Sequence, residues 1–328
     1  MKERFVQELK QAAAERSEAI DELFLVADKS LGKTRHDKPY LRVKLIDRTG
    51  AIEAKVWERA EEIDALFDVS DCVRVRGRAE AYNGDVQINA QGITRVEPGG
   101  WRLGDFLPRT EFDPKAMMEE LRGILDAMEN RHLRALLFSF LDDPEIARKF
   151  MTAPAAQYIH HAWLGGLLEH VLSLSRLIRT IAPLYPGVDW DLVLVGALLH
   201  DLGKIEELSY QGPFHYTDAG QLIGHLTMGV LMVHDKIKTL PDFPKELELQ
   251  VKHLIVGHHG ALEYGSPKLP QTLEAVVLHH LDDLDSKING IGTWLGQAAG
   301  KWTSYHRAYG RAFFKTPKAD AADERDAD

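Results

Sequence analysis

The sequence predicts a two-domain protein of mixed class, a small β-barrel followed by an all-helical domain. Three observations carry this expectation. The 328-residue chain exceeds a typical single domain, and its 45% hydrophobic content suffices for two cores. From about Glu22 to Glu97 apolar residues recur with period two, whereas beyond Asp113 they recur at helical spacing. Of fifteen histidines only His36 precedes residue 130, so whatever histidine does here belongs to the second part.

Residues 1–19, which mix charges of both signs with alanines, are expected to form a helical extension. In residues 20–98, Leu41, Val43 and Leu45 alternate with Arg42 and Lys44, and Val73 and Val75 alternate with Arg74, Arg76 and Arg78. Asp47-Arg48-Thr49-Gly50 and Tyr82-Asn83-Gly84-Asp85 are turn signals, the second containing the Asn-Gly pair favoured in tight hairpins. A short helix over Ala60–Phe67 then gives three strands, a helix and two further strands, the order of an OB-fold barrel. The single cysteine, Cys72, reads as an ordinary strand residue with no disulfide partner. Glu97-Pro98-Gly99-Gly100 ends the pattern, and residues 99–112 read as a loosely structured linker.

The helical domain is expected over 113–312. Asp113-Pro114 and Asp143-Pro144 each place an N-cap carboxylate before a proline at the first helical position. Ala162–Ile181 and Asp191–Leu202 read as central helices, and helical segments continue to about Arg311. Residues 313–328, which end in ADAADERDAD, lack hydrophobic anchors and are expected to be a disordered acidic tail. The longest apolar run, Leu192–Leu199, falls well short of the roughly 20 residues a membrane span needs. No apolar secretory core occupies the first twenty residues, so the expected location is cytoplasmic, with no membrane partner. A net charge of −10 excludes coating of nucleic acid through bulk electrostatics but leaves room for local basic strips.

The chemistry is concentrated in His170, His200-Asp201, His225, His258-His259 and Asp282, spaced to fall on successive helices. The apolar run before His200 ends by presenting an imidazole and a carboxylate side by side, ahead of Gly203. A buried carboxylate there needs a cation or a strong donor. Adjacent helical residues point about 100° apart, so His258 and His259 can serve one centre only near a helix end, which Gly260 supplies. Asp282 and Asp285 lie one turn apart, the first as ligand and the second as a hydrogen-bonding support for the ligands. The set points to two-metal phosphoester hydrolysis, with Asp201 bridging ions about 3.5–4 Å apart that activate a water for attack on phosphorus. Lys204 is placed to neutralise phosphate charge. Nitrogen and oxygen donors without cysteine suit Mn²⁺, Fe²⁺, Co²⁺ or Zn²⁺. These residues alone leave the substrate open.

The segment from His160-His161-Ala162-Trp163 to His170, the HDLGK motif at 200–204, Tyr216-Thr217-Asp218, Gly224-His225, His258-His259-Gly260 and Gly265-Ser266-Pro267-Lys268 resemble the HD superfamily of metal-dependent phosphohydrolases. With an OB-like barrel in front, the chain is similar over residues 20–312 to the YhaM-type 3′→5′ exoribonucleases. The resemblance implies stepwise release of nucleoside 5′-monophosphates from the 3′ end of single-stranded RNA, some activity on single-stranded DNA, and Mn²⁺ or Co²⁺ as activators. It also implies that His170, His200, Asp201 and Asp282 hold one ion, and that Asp201, His225, His258 and His259 hold the other. Two alternatives stand beside it: an HD-type phosphohydrolase of a small nucleotide, and a nucleic-acid-binding module on an inactive HD scaffold. The barrel and the lack of Gly-Tyr-Pro after His258-His259 weigh against a cyclic-dinucleotide enzyme, and the complete ligand set weighs against a scaffold.

Substrate contacts are expected on both domains. Arg74, Arg76 and Arg78 share a strand face, and Trp57, Tyr82 and Tyr40 supply stacking surfaces, the combination single-strand binders use. An ordinary solvated face with core aromatics would give the same pattern, and a basic loop at Lys29–Lys38 tips the balance toward binding. His160 and His161, with Trp163, either contact the terminal nucleotide or orient the His170 region. A homo-oligomer is the remaining expected association.

Overall fold

The computed structural model describes residues 2–82, 85–97, 99–157, 161–298 and 300–316. The Asn83-Gly84 turn, Pro98, His160 and the acidic tail from residue 317 onward lie outside the described residues.

After a helix, α1 (Val6–Glu15), come β1 (Glu18–Lys33), β2 (Pro39–Asp47), β3 (Gly50–Val56), a short helix α2 (Ala60–Asp64), β4 (Cys72–Tyr82) and β5 (Asp85–Arg95). The strands close into a barrel in the order β1-β2-β3-β5-β4, antiparallel except where β3 meets β5. β1 serves two walls: Glu18–Leu25 pairs with β4, and Leu25–Lys33 pairs with β2 across an irregularity at Val26/Asp28 that turns the corner. Lys29 is therefore a strand residue and not part of a basic loop. Its ammonium is tied to the Asp64 carbonyl at 2.7 Å and to the Asp64 carboxylate at 3.1 Å, so it fastens α2 to the barrel.

The period-two pattern places Leu41, Val43, Leu45, Val73 and Val75 inside, and α1 closes the barrel with Val6, Leu9 and Ala13. Beneath that helix Lys2 is buried against Asp47 at 3.0 Å and the Leu23 carbonyl at 2.7 Å. Leu23-Phe24-Leu25-Val26 is buried without alternation because this stretch of β1 is covered on both faces. The outer cover comes from the stretch expected to be a loose linker. A 3₁₀ turn at Leu103–Asp105 leads into Phe106 and Leu107, both buried against Leu23, Leu25 and Cys72. Leu164 and Phe214 of the helical part pack on the same cluster, so the segment joins the two cores.

The helical part comprises α3 (Pro114–Asp126), α4 (Arg131–Leu141), α5 (Pro144–Phe150), α6 (Gly166–Ile181), α7 (Trp190–Leu199), α8 (Lys204–Glu207), a small hairpin of β6 (Leu208–Ser209) and β7 (His215–Tyr216), α9 (Asp218–Ile223), α10 (His225–Lys238), α11 (Lys245–Gly257) and α12 (Leu273–Gln297). Asp113 and Asp143 cap α3 and α5 as their sequence signals require. The central helix is α7, in which every residue from Leu192 to Leu199 is buried, packed between α4, α6, α11 and α12. α6 begins at Gly166 and not near Ala162, because Leu164 exchanges backbone hydrogen bonds with Pro108 and Thr110 and Gly165 turns the chain at φ +81°. Helix also stops short of Arg311. Residues 300–316 form an irregular hairpin with bridges Trp302–Phe314 and His306–Arg311. No helix among the described residues is long and apolar enough to cross a membrane.

Candidate metal centre

Five helix termini or faces converge on one pocket of imidazoles and carboxylates. α6 brings His170, the end of α7 brings His200 and Asp201, the start of α10 brings His225, the end of α11 brings His258 and His259, and α12 brings Asp282. Two close approaches make this possible. A Cβ on Gly203 would lie 2.2 Å from the His225 carbonyl oxygen, so only glycine lets α10 start against the His-Asp turn. Gly260, at φ +78°, ends α11 while the His279 ring lies where its Cβ would be, and His279 Nδ1 donates to the His258 carbonyl at 2.8 Å. The helix-end geometry expected for the His258-His259 pair is what the chain adopts.

Asp201 sits at the middle and divides its two oxygens. Oδ2 lies 3.3 Å from His200 Nε2 and 2.6 Å from Lys204 Nζ, while Oδ1 lies 3.4 Å from His225 Nε2 and 3.7 Å from His258 Nε2. On the Oδ2 side, His170 Nε2 is 3.3 Å from His200 Nε2 and 3.2 Å from Asp282 Oδ1. On the Oδ1 side, ligand atoms of His225, His258 and His259 lie within 4.8 Å of one another. All the ligand residues expected from the sequence are thus brought together, in two groups that share Asp201.

The outward nitrogens explain why the inward ones are available. His200 Nδ1 faces the Ala197 carbonyl at 3.0 Å, His258 Nδ1 the Ile255 carbonyl at 2.8 Å, and His259 Nδ1 the Tyr264 carbonyl at 2.9 Å. His225 Nδ1 faces Glu207 at 2.9 Å, and His170 Nδ1 faces Asp285 at 2.8 Å. A carbonyl can only accept, so each Nδ1 that meets one carries the proton and leaves Nε2 as a lone pair aimed inward. Asp285 takes the supporting role that its spacing from Asp282 predicts. Glu207 and Ser173, which also bonds Asp285, carry no such sign in the sequence, because their partners lie far away along the chain.

With Nδ1 turned to Glu207, His225 Nε2 meets Asp201 Oδ1 at 3.4 Å lone pair to lone pair, an approach that repels unless a cation lies between them. Asp201 Oδ1 and His225 Nε2 are both buried without a hydrogen-bond partner among the described residues. The donor set therefore fits divalent cations. Charge is already distributed for this. Burial alone would lift the carboxyl of Asp201, but Lys204 and His200 hold it well below the usual carboxylate range, as His170 and His200 do for Asp282. Burial pushes the His258 and His259 imidazoles below their ordinary value, which keeps them neutral donors. Burial also disfavours a charged His170, but Asp282 and Asp285 outweigh it and raise the group to about 9. Lys204 is largely buried, bound to Asp201, with its pKa raised by that carboxylate against the effect of burial.

His161 is placed behind the pocket rather than in it. It is buried, with Nε2 3.3 Å from Asp285 Oδ2, so it braces the support of His170 instead of facing substrate. On the barrel, Trp57 stacks on Tyr40 with ring centroids 5.2 Å apart and stays about half exposed, while Tyr82 is exposed beneath the Lys55 ammonium at 5.2 Å. Arg74, Arg76 and Arg78 do share the outer face of β4. They are partly engaged there: Arg74 and Arg76 pair with Asp21 at 3.0 and 3.1 Å, and Arg78 bonds Ser17.

Known proteins show the same architecture. Residues 167–287 match the HD domain family, and residues 25–96 match a family described as OB-fold nucleic acid binding domain. The chain is 33% identical over 301 residues to the 3′-5′ exoribonuclease YhaM of Geobacillus sp. (strain WCH70), covering 91% of this chain and 92% of that one. It is 34% identical over 273 residues to the Bacillus subtilis (strain 168) protein of the same name, covering 83% and 86%. A third protein of that name, from Bacillus velezensis, is 35% identical over 272 residues, covering 83% and 86%. With that identity over nearly the whole length and both domains matched, this chain belongs to the YhaM 3′-5′ exoribonuclease family.

Proposed function

We infer that the protein is a metal-dependent 3′→5′ exoribonuclease that hydrolyses the phosphodiester bonds of single-stranded RNA to nucleoside 5′-monophosphates. Family membership supports the reaction, and the division of Asp201 between two sets of imidazoles is the observation that carries the chemistry. We assign His170, His200, Asp201 and Asp282 to one divalent ion and Asp201, His225, His258 and His259 to a second, with Mn²⁺ or Co²⁺ as the activating metals. When bound, such ions would polarise the phosphoester and lower the pKa of water near neutral pH.

The chain's own contribution is positioning and charge. The carbonyls of Ala197, Ile255 and Tyr264 and the carboxylates of Glu207 and Asp285 fix the rotation of five imidazoles, so that the donors are arranged before a ligand arrives. Lys204 holds Asp201 Oδ2 and offsets its charge, which favours the approach of a polyanion. The barrel, through Trp57, Tyr82 and its basic residues, supports single-strand binding by stacking, a mode that also admits single-stranded DNA.

The test is incubation of metal-loaded protein with a 5′-labelled oligoribonucleotide, in parallel with a 3′-blocked oligonucleotide and with Asp201→Ala. A ladder shortening from the 3′ end, absent in both controls, is expected. Intact RNA alongside hydrolysis of a small nucleotide would replace this reading with that of a small-nucleotide phosphohydrolase.

A further inference from the structure

Between Asp285 and Asp320 the sequence contains no acidic residue, although acidic residues number 50 in the 328-residue chain. The described end of that stretch is the 300–316 hairpin, which carries Lys301, Arg307, Arg311 and Lys315. None of these four forms an ion pair among the described residues. On the barrel the cations are partly neutralised: Arg74 and Arg76 face Asp21, Lys29 faces Asp64, and Arg95 faces Asp71, while Arg42, Lys44 and Arg78 form no ion pair among the described residues. In a chain of net charge −10, the hairpin is a positive strip with no acidic residue of its own.

The hairpin is a built surface. Thr303 is buried and its backbone N–H donates to the Phe313 carbonyl at 2.9 Å, while Trp294 of α12 packs edge-on against His306 at 4.8 Å and donates to the Ser304 carbonyl at 3.2 Å. With that side fixed, the other side leaves Trp302 62%, Tyr305 65% and Phe314 47% exposed. Large aromatics held uncovered between unpaired cations are costly for a merely solvated face. They match what unpaired bases and phosphates require together, a flat stacking surface with adjacent positive charge. Trp294 shares a face of α12 with Asp283, eleven residues earlier, and Tyr309 lies within electrostatic reach of Asp283 and Lys287. The hairpin thus runs along the face of α12 next to the one that presents Asp282.

We propose that residues 300–316 form a second contact for single-stranded RNA, separate from the OB barrel, in which Tyr305 and Trp302 stack unpaired bases and Lys301, Arg307 and Arg311 bind the flanking phosphates. This rests on the exoribonuclease reading and adds a grip on the substrate beside the metal centre. Chain length decides its use. On this proposal a dinucleotide engages the metal centre alone, whereas a longer strand engages both.

The test compares wild type with Tyr305→Leu and with the triple variant Lys301→Gln/Arg307→Gln/Arg311→Gln, after thermal melts confirm unchanged folding. Binding of a labelled single-stranded oligoribonucleotide is measured with metal chelated, so that the RNA stays intact. Each variant is expected to lose about tenfold in affinity, within the range for one stacked base or a few phosphates, and the triple variant's log–log salt slope should fall by about two. kcat/KM should drop on the long strand and stay unchanged on a dinucleotide. Wild-type affinity and salt slope in both variants would overturn the proposal. Wild type that hydrolyses neither substrate would overturn the exoribonuclease reading instead, and the binding comparison, which needs no turnover, would still decide the hairpin.

Discussion

Asp285 accepts from His170 Nδ1 at 2.8 Å on one carboxylate oxygen and from Ser173 on the other, so a residue of α12 fixes the ring of a candidate ligand on α6. His161 approaches the same carboxylate at 3.3 Å. His161 and His170 hold its carboxyl well below the usual range even though burial works the other way, so it is charged at neutral pH.

That relationship makes Asp285 a positioning residue with a separable effect. Asp285→Asn retains an acceptor but removes the charge that orients and enriches the imidazole. We expect a loss of about 10–100-fold in metal affinity or activity, the range for such supporting groups. Metal titration by calorimetry, with a melt to confirm folding, checks this. An unchanged titration and an unchanged kcat would remove Asp285 from the site.

Metal uptake should depend on pH with a defined sign. His170 is raised from 6.5 to about 9, so without a cation its proton offsets Asp282 and Asp285, and this contribution to stability is present at low pH and lost as pH rises through about 9. A divalent ion must displace that proton. Apparent affinity should therefore rise about tenfold per pH unit between roughly 6.5 and 9 and level off above. Calorimetry in buffers of different ionisation enthalpy should detect about one proton released from this group. Affinity that is flat across the window would show that metal uptake displaces no proton from His170.

Gly260→Ala is expected to dismantle one half of the centre. The new methyl would meet the His279 ring at 2.1 Å, and a positive φ adds about 1–2 kcal/mol of strain for a residue with a Cβ. His279 anchors the His258 carbonyl, so the displacement reaches both histidines at the end of α11. Metal stoichiometry and RNA hydrolysis should fall together while far-UV circular dichroism stays near wild type. Full metal loading in this variant would mean that the α11 terminus does not need its present geometry.

How much of the molecule is legible in the sequence depends on how local each cause is. The alternation in β2 and β4 and the Asp-Pro starts of α3 and α5 act over a few residues, and each leaves a pattern in the sequence. The candidate ligand residues are legible for a related reason, since histidines and carboxylates set into apolar helices are too costly to bury without a partner. Glu207 escapes such reasoning because only its contact with His225, made through the fold, distinguishes it from its neighbour Glu206. Phe106 and Leu107 look like linker because no periodicity marks two residues that fill a seam between domains. The 300–316 hairpin reads in sequence as helix up to about Arg311 and as disordered tail from 313, because the packing on Trp294 that shapes it is made through the fold.

The barrel's role can be separated from its structural contribution by point substitution. Deleting the barrel would uncover Phe106 and Leu107, so loss of activity after deletion would report on folding as much as on RNA binding. Trp57→Ala and Tyr82→Ala avoid this, because both side chains are about half exposed and neither belongs to the barrel core. Stacked bases contribute about 1–3 kcal/mol each by alanine substitution, so each variant should bind single-stranded RNA about 5–150-fold more weakly. Hydrolysis of a dinucleotide is expected not to change. Parallel losses on both substrates would point to a damaged fold, and no loss on the long strand would leave the aromatic face of the barrel without a role in binding.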